Sequence, residues 1–343
     1  MGKFLSIIIP LYNSDERLRD ALKSIQSQSF TDYEVVFVDD CSTDTTYRDI
    51  IKDFNFEYKL IVNEKNVKQG LARQIGLDAS EGEWVTFLDH DDEFNPDCFQ
   101  YVCNCIKEHA TDKTLVLESN ILVADDKSWM FNQMYRLSKN PVLLHGRFYN
   151  KSRLKYYNIR FHEDLSAHED TFFSSLVENH ILLDKTVDKD EAKLSTDLIT
   201  YYWYLWEDST SHEFVNNISY SEKNFEQHLK ANYYAIQEIY SRYDDEKFMM
   251  YRVASLLLYT YWYIEGFKAN NPDGYIKENI NHVKKFLYDI VDNNRYGFTY
   301  ESIYSFILSN AELYNFTYQQ AMNNALCFFI PQITMKEYLE SLK

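Results

Sequence analysis

The segment Trp84–Asp97 contains the densest group of carboxylates that could do chemistry. Its sequence, WVTFLDHDDEFNPD, begins as a short apolar strand and runs directly into the acidic run at 89–93. Carboxylates this close repel one another, and a divalent cation offsets the repulsion because hard cations take oxygen ligands. An EF-hand is excluded, since Phe94 stands where that loop requires glycine. The segment predicts a metal site at a strand end, with a solvated acidic turn as the alternative.

A second group of carboxylates occurs as a near repeat, HED at 162–164 and again at 168–170. Only the second copy is followed by the start of an amphipathic helix, TFFSSLV. Such a helix would hold Asp170 at its N-terminus, facing the sheet. Asp164, in the first copy, is the competing aspartate. Glu-Asp pairs most often cap helices, so the pattern alone does not assign catalysis.

Alternating strands and helices must position these groups. We predict strands at 4–9, 34–38, 58–62 and 84–88, with helices between them, and we expect Pro10 to end the first strand. This alternation is typical of a doubly wound parallel α/β sheet. Ligands in such sheets bind beyond the carboxyl ends of the strands. That rule brings three loops together, at 10–13, 39–44 and 89–93.

The sequence has neither GxGxxG after the first strand nor GxxxxGK[ST] elsewhere. A dinucleotide cradle and a P-loop are therefore not supported. Any phosphate at this edge is expected to be held by metal rather than by a glycine turn.

Composition limits the choice of partners. The chain has 343 residues and a formal charge of −18, which argues against nucleic acid and anionic membranes. Many aromatic residues (29 Tyr and 23 Phe) and few Gly and Pro (8 and 5) favour a compact protein rich in helix. The five cysteines form neither a zinc pattern nor a disulfide framework, so we expect reduced thiols and a cytoplasmic location. The first strand is too short for a signal sequence.

The pattern becomes wholly helical from about residue 219. We predict a first domain at 1–213 and a helical domain at 214–343. The helical domain could cover an acceptor cleft, form an oligomer interface or lie against the inner face of a membrane. Its aromatic content favours contact between copies of the chain.

Several motifs, in their order and spacing, resemble the inverting family 2 glycosyltransferases. The matching stretches are SIIIPLYNSDERLRDALKSIQSQSF, YEVVFVDDCSTDTT, NVKQGLARQIGLDASEGEWVTFLDHDDEFNPD, HGRFYNKSRLKYYNIRF and HEDTFF, and the resemblance extends from about Ser6 to Ser211. It implies a GT-A fold, a Rossmann-like doubly wound mixed sheet, followed by the helical region. It also implies sugar transfer from a UDP-sugar to a hydroxyl of a glycan, a cell-wall or capsule polymer, or a glycoprotein.

The resemblance also implies roles for individual residues. Asp89 and Asp91 match the DxD pair, with Asp91 the more direct ligand of Mn²⁺ or Mg²⁺. Asp170 matches the base, and Glu169 is expected to orient it or to contact the acceptor. Arg73 matches an arginine facing the nucleotide-sugar, although Gln74 stands where the family usually has Asn. Five further residues are assigned to the donor: Pro10 and Tyr12 in the first loop, Asp39 and Asp40 in the second, and His90. Of these, Asp40 is expected to contact the uracil ring.

The run Tyr201–His212 departs from the family. Relatives carry YYYRxRxxSxS here, whereas this chain has Tyr204 and Trp206 at the arginine positions. Neutralising the pyrophosphate would then fall to the metal, Arg73, Arg147 or His212. The aromatic side chains, Trp206 among them, either stack on sugar faces or form core. His145 either touches the metal-bound donor or packs.

Three hypotheses follow. The first is a metal-dependent inverting glycosyltransferase that moves a hexosyl or N-acetylhexosaminyl group from a UDP-sugar. The second is a catalytically silent nucleotide-sugar-binding or assembly module, which the missing arginines favour. A nucleotidyltransferase is weaker, because the expected glycine- and lysine-rich phosphate loop is absent from the sequence.

Overall fold

A mixed β-sheet organises the first part of the chain. The computed structural model describes residues 2–124, 135–137, 143–204, 206, 222–256 and 296–309. Within that part of the chain the strands are β1 (Leu5–Leu11), β2 (Tyr33–Asp39), β3 (Tyr58–Val62), β4 (Trp84–Phe87), β5 (Glu93–Phe94), β6 (Val116–Ala124), β7 (Tyr135–Leu137), β8 (Arg147–Asn150) and β9 (Lys193–Tyr204).

The strand order is β3-β2-β1-β4-β8-β6-β9-β5, and β7 pairs with β6. The strands β3, β2, β1 and β4 run parallel. Strand β8 is antiparallel to both β4 and β6, and β6 is parallel to β9. The mixed sheet agrees with the predicted fold class.

Helices connect these strands. They are α1 (Arg17–Gln26), α2 (Tyr47–Lys52), α3 (Lys68–Ala79), α4 (Cys98–His109), α5 (Lys151–Tyr157), α6 (Glu169–Leu183) and α7 (Lys189–Ala192). Every residue of β1 and β2 is buried, as expected for central strands covered on both faces. Helix α3 lies very close to β1, since a Cβ on Gly76 would come within 2.5 Å of Ile8 Cγ2.

The strand–helix alternation is confirmed, with boundaries that shift by one or two residues. One expectation is wrong: Pro10 does not end the first strand, which continues to Leu11. Leu88 N–H donates to Ile8 O on the β4 side, and Asp40 N–H donates to Leu11 O on the β2 side. Pro10 faces the β4 side, where the pairing ends at Ile8. Its missing N–H therefore removes no ladder hydrogen bond.

The chain divides into two compact units, Met1–Ile218 and Ser219–Lys343. The described residues of the second unit form helices at Glu222–Arg242, 246–256 and Tyr300–Ser309. None of the helices in the described ranges is long and apolar enough to cross a membrane. The rest of the predicted helical domain, at 214–221, 257–295 and 310–343, lies outside the described residues.

Candidate active site

The acidic loop lies between β4 and β5 and is fastened to β9. Asp92 is 2% exposed. Its Oδ2 accepts a hydrogen bond from Tyr201 Oη at 2.7 Å, and its Oδ1 accepts one from Tyr204 N at 2.9 Å. Burial, together with the charges of Asp91 and Asp89, raises the pKa of Asp92 well above its usual value. Asp92 therefore anchors the loop to the end of β9.

Asp89 accepts hydrogen bonds on both carboxylate oxygens. Oδ1 accepts from Arg73 Nη2 at 2.6 Å and from Gln69 Nε2 at 3.1 Å. Oδ2 lies 3.2 Å from His145 Nε2. Burial acts to raise the pKa of Asp89, but Arg73 and His145 hold it well below its usual value. Asp89 is thus an ionised side chain that is fixed by its neighbours.

Arg73 joins the acidic loop to α6. The Arg73 side chain is 2% exposed, and its Nη1 donates to Glu169 Oε1 at 2.7 Å while Nη2 binds Asp89. Helix α3 approaches α6 at Gly70, where a Cβ would lie 2.8 Å from Glu169 Cβ. The structure therefore brings Asp89, Arg73 and Glu169 together, as three predicted site residues from three separate motifs.

Asp170 lies in the first turn of α6, directly after Glu169. Its Oδ1 accepts from Thr171 N at 2.6 Å, and its charge is close enough to Arg73 to act on that guanidinium. Asp164 instead lies exposed in the turn before the helix, where its N–H donates to His162 Nδ1. Of the two competing aspartates, Asp170 is thus the one beside the Arg73 network.

Asp91 is a half-buried acid of the loop, exposed to the same extent as Asp89. Its side chain is 20% exposed, and His90 Nδ1 lies 4.0 Å from its Oδ1. Burial raises the pKa of Asp91 and Asp89 raises it further, against the opposing charge of His90. A bound cation would offset both effects. The Asp91 backbone carbonyl accepts a hydrogen bond from Trp206 Nε1 at 3.1 Å.

Three residues close to Asp91 form a candidate metal group, which does not include Asp91 itself. Ligand atoms of Asp89, Asp92 and His145 lie within 4.8 Å of one another, which makes them a candidate metal group among the described residues. Carboxylate oxygens suit Mn²⁺ and Mg²⁺, whereas an imidazole nitrogen more often binds zinc, copper, iron or nickel. Asp89 and Asp92 already accept hydrogen bonds from Arg73, Gln69, Tyr201 and Tyr204. The sequence prediction of Asp91 and Asp89 as ligands stays a prediction.

The two aspartates of the second loop are held inside the protein. Asp40 accepts from the N–H groups of Val67 and Lys68, at 2.7 and 2.8 Å, and so fixes the start of α3. Asp39 accepts from Tyr47 Oη at 2.6 Å and from Ser42 N at 2.9 Å. The predicted contact between Asp40 and a nucleobase stays a prediction.

The first loop presents an aromatic ring next to that second loop. Pro10 is buried in β1, whereas Tyr12 is 52% exposed. Asn13 adopts a left-handed conformation with φ of 48°. Its Oδ1 accepts from Thr43 N at 2.9 Å, which joins the two loops. The exposed Tyr12 ring therefore lies at the edge where a flat base is expected to bind.

The aromatic run forms the end of β9 and belongs partly to the core. Tyr201 is fully buried, and the ring of His145 lies 4.8 Å from it and 6.1 Å from Trp203. Arg147 is almost fully buried. It is buried between Glu118 and Glu178, with Nη2 at 3.1 and 2.8 Å from their carboxylates. These pairs do not favour a contact between Arg147 and pyrophosphate, and His212 lies outside the described residues.

Sequence reasoning missed several residues of this site. Sequence patterns assign Asp92 no role beyond its place in the acidic run, and they leave Tyr201 as either a stacking or a core residue. Gln69 lies one turn before Arg73 on α3, and that spacing could have pointed to a shared partner.

Comparison with known proteins identifies similar chains. A family model described as "Glycosyl transferase family 2" matches residues 6–171. The poly(ribitol-phosphate) β-N-acetylglucosaminyltransferase TarS of Staphylococcus aureus is 32% identical over 188 residues, which cover 51% of this chain and 32% of TarS. The GalNAc(5)-diNAcBac-PP-undecaprenol β-1,3-glucosyltransferase of Campylobacter jejuni is 31% identical over 186 residues, covering 50% and 59% respectively. The chain thus spans less than two thirds of either relative.

Solved structures support the same fold. The crystal structure of S. aureus TarS 1–349 in complex with UDP has a TM-score of 0.62 at 19% identity, covering 98% of this chain and 92% of that chain. The mannosyltransferase PcManGT from Pyrobaculum calidifontis, in complex with GDP-Man and Mn²⁺, has a TM-score of 0.52 at 13% identity, covering 97% and 89%. At these identities the likeness establishes the fold alone, and it confirms the predicted GT-A class.

Proposed function

Residues 6–171 of this chain belong to glycosyl transferase family 2, and from that premise we propose that the protein is a metal-dependent inverting transferase of UDP-sugars. Its acceptor is a hydroxyl group of a glycan, a cell-wall or capsule polymer, or a glycoprotein. The observation that carries the proposal is the contact of Arg73 with both Asp89 and Glu169. Asp89 belongs to the predicted donor side of the site, and Glu169 directly precedes Asp170, the predicted base. The contact therefore links the two predicted parts of the site.

Asp170 is the proposed base. Inversion in one displacement needs a group that removes the proton of the acceptor hydroxyl as that oxygen attacks the anomeric carbon. A carboxylate in the first turn of a helix is stabilised in its ionised form by the helix dipole. Thr171 N holds one oxygen of Asp170, and Arg73 fixes the neighbouring Glu169. These contacts orient the first turn of α6 and leave Asp170 half-buried beside the network.

Asp91 is the proposed main ligand of the cation, with Asp89 beside it. A bound divalent cation would act as a Lewis acid that stabilises the departing nucleotide diphosphate. The residues of the chain keep Asp91 in place: Trp206 donates to its carbonyl, and Asp92 ties the loop to β9. This arrangement needs one acidic side chain for proton transfer, in contrast to the pair that glycosidases use.

The relatives point to a class of donor. TarS is named as an N-acetylglucosaminyltransferase acting on poly(ribitol-phosphate), and TarS 1–349 has been crystallised in complex with UDP-GlcNAc. The C. jejuni relative is named as a glucosyltransferase acting on an undecaprenol-linked glycan. We therefore propose a UDP-linked hexose or N-acetylhexosamine as the donor and a surface polymer or lipid-linked glycan as the acceptor.

Two measurements test the proposal. Thermal-shift screening of UDP-sugars with and without Mn²⁺ should identify a donor, because a ligand that binds only the folded state raises Tm. UDP release from that donor should then depend on the cation and stop with a chelator. Cation-dependent binding without turnover over a broad acceptor panel would instead favour a silent binding module. No stabilisation by any nucleotide sugar would contradict both readings.

A further inference from the structure

One side of α3 contacts both the start of α6 and the segment that precedes it. Gly70, Arg73, Gln74 and Asp78 share that side of the helix, because they recur at helical spacing. A Cβ on Gly70 would lie 2.8 Å from Glu169 Cβ, and Arg73 Nη1 lies 2.7 Å from Glu169 Oε1. The first two residues therefore hold the first turn of α6, and the other two contact the chain before it.

Gln74 holds the backbone of that preceding segment at Phe161. Gln74 is 5% exposed, and its Oε1 accepts a hydrogen bond from Phe161 N at 3.0 Å. Its Nε2 donates to Asp78 Oδ1 at 2.9 Å, and Asp78 also accepts from Arg160 Nη2 at 2.8 Å. Because the two ends of the amide have partners of opposite kind, the Gln74 side chain has one favoured orientation.

The ring of Phe161 packs against α6 itself. It lies 4.4 Å from the ring of Phe173, with 19° between the ring planes, and 5.6 Å from the ring of Phe87 in β4. Phe161 is almost fully buried, and Phe87 and Phe173 are fully buried. A close-packed interior transmits a displacement instead of absorbing it. A shift of the Phe161 backbone would therefore reach α6 through this ring pair.

Residues 162–168 are thus held by α3 at both ends. Gln74 holds the chain at Phe161, and Arg73 holds it at Glu169. Asp170 follows Glu169 directly in the first turn of α6. Two adjacent residues of α3 therefore determine where the chain enters the helix that carries Asp170.

We propose that Gln74 is a positioning residue, whose hydrogen bond with Phe161 sets the location of Asp170. The inference rests on the proposed function, in which Asp170 is the base, and adds a residue that acts through it. A base must lie within hydrogen-bond reach of the proton that it removes. A misplacement of about 1 Å can lower a rate about 100-fold. Loss of the contact at Gln74 should therefore lower turnover while donor binding is kept.

Gln74→Met tests this inference, because methionine is similar in length and volume but lacks the amide. We expect kcat to fall about 10- to 100-fold, with the Kd of UDP and the KM of the donor unchanged. Calorimetric titration counts the UDP-binding sites, so that kcat is expressed per folded molecule. Arg160→Gln is the matched control, since it removes only the half-exposed ion pair with Asp78 and should leave kcat near the unaltered rate.

A double-mutant cycle separates positioning of the base from a general effect on the fold. If Gln74 acts through Asp170, adding Gln74→Met to Asp170→Asn should change the residual turnover by less than about 3-fold. A loss in that background as large as the loss in the unaltered chain would show that the two residues act independently. That result would overturn the inference.

The remaining outcomes also decide. Unaltered kcat in Gln74→Met, a loss confined to the Kd of UDP or the KM of the donor, or a matching loss in Arg160→Gln would each overturn this inference alone. If Gln74→Met does not fold, Gln74→Asn, which is one methylene shorter, is expected to show the same loss of kcat and is judged by the same criteria. Failure of the unaltered chain to release UDP from any UDP-sugar would overturn the proposed function, and this inference with it.

Discussion

Asp89 and Glu169 share one guanidinium: Arg73 Nη2 lies 2.6 Å from Asp89 Oδ1, and Nη1 lies 2.7 Å from Glu169 Oε1. The two carboxylates come from the acidic loop after β4 and from the start of α6. Because Arg73 is buried, neither pair is strongly screened by solvent. The contact therefore fixes the relative positions of the two segments that carry Asp91 and Asp170.

Replacing Arg73 by Met should destabilise the fold as well as impair activity. Removing one member of a buried ion pair leaves an unpaired buried charge and costs about 3–5 kcal/mol. Urea denaturation followed by far-UV circular dichroism would measure the shift in midpoint. Adding Asp89→Asn and Glu169→Gln to Arg73→Met should recover part of the loss, since no unpaired charge remains. A midpoint unchanged in Arg73→Met would rule out this role.

Asp91→Asn should remove the part of UDP affinity that depends on the cation. We expect a loss of at least about 10-fold in the presence of Mn²⁺, and little change when EDTA is present throughout. Calorimetric titration under both conditions measures the two affinities. Asp97→Asn is the control, because Asp97 lies exposed in the same segment. Its backbone is left-handed, with φ of 58°, which Asn tolerates. Equal behaviour of the two variants would refute Asp91 as the ligand.

Gly70→Ala should lower turnover more than it lowers stability. The added methyl group would lie 2.8 Å from Glu169 Cβ, so the first turn of α6 must move and Asp170 with it. Alanine gains about 1 kcal/mol of helix propensity, which offsets part of the strain. Gly76→Ala provides the comparison: its methyl group would meet Ile8 in the core, and overpacking there costs about 1–3 kcal/mol. Turnover and Tm measured for both variants would separate the two effects.

The stability contributed by Glu34 should depend on pH. Ser6 Oγ donates to its Oε1 at 2.7 Å, and Lys59 Nζ lies 3.0 Å from Oε2. Burial acts to raise the pKa of Glu34, but the Glu81 N–H, Ser6 and Lys59 hold it below its usual value. The ionised carboxylate therefore stabilises the fold above about pH 4.3, its unfolded value, and this contribution is lost as the pH falls through the lower folded pKa.

Glu34→Gln measures that contribution. We expect it to lower the free energy of unfolding by about 1–3 kcal/mol near neutral pH. The difference from the unaltered chain should shrink toward zero as the pH falls below the folded pKa, since both side chains are then neutral. Denaturation midpoints of both proteins across the acidic range measure it. A difference that stays constant with pH would show that the charge of Glu34 is not involved.

The sequence predicted the sheet well, because its signals are local. Apolar runs bounded by polar loops located β1 to β4, and they placed the acidic loop at a carboxyl edge. The expectation that Pro10 ends the first strand is wrong, although proline often does end strands. A proline ends a strand only where its nitrogen faces a neighbouring strand that needs its hydrogen bond. Pro10 faces β4, whose pairing with β1 ends at Ile8, and the sequence does not show where that pairing ends.

The site was predicted less completely, because its partners are distant in sequence. The run DHDDE identifies the acidic residues but not the directions of their side chains. It therefore does not distinguish Asp92, which is anchored to Tyr201 and Tyr204, from Asp91, which is 20% exposed. The stacking of Arg17 on Trp206 likewise joins the first helix to the end of β9. Such contacts arise from strand order and leave no periodic trace in the sequence.

The most direct test of Asp170 as the base compares two variants, Asp170→Asn and Asp164→Asn. The measured quantity is the rate of UDP release from a UDP-sugar in the presence of Mn²⁺ and an acceptor. Both variants lose one carboxylate from an HED sequence, but only Asp170 lies beside the Arg73 network. We expect Asp170→Asn to lower turnover about 10²- to 10⁴-fold with UDP affinity unchanged, and Asp164→Asn to remain near the unaltered rate. Full turnover in Asp170→Asn, or a comparable loss in Asp164→Asn, would contradict the assignment of Asp170 as the base.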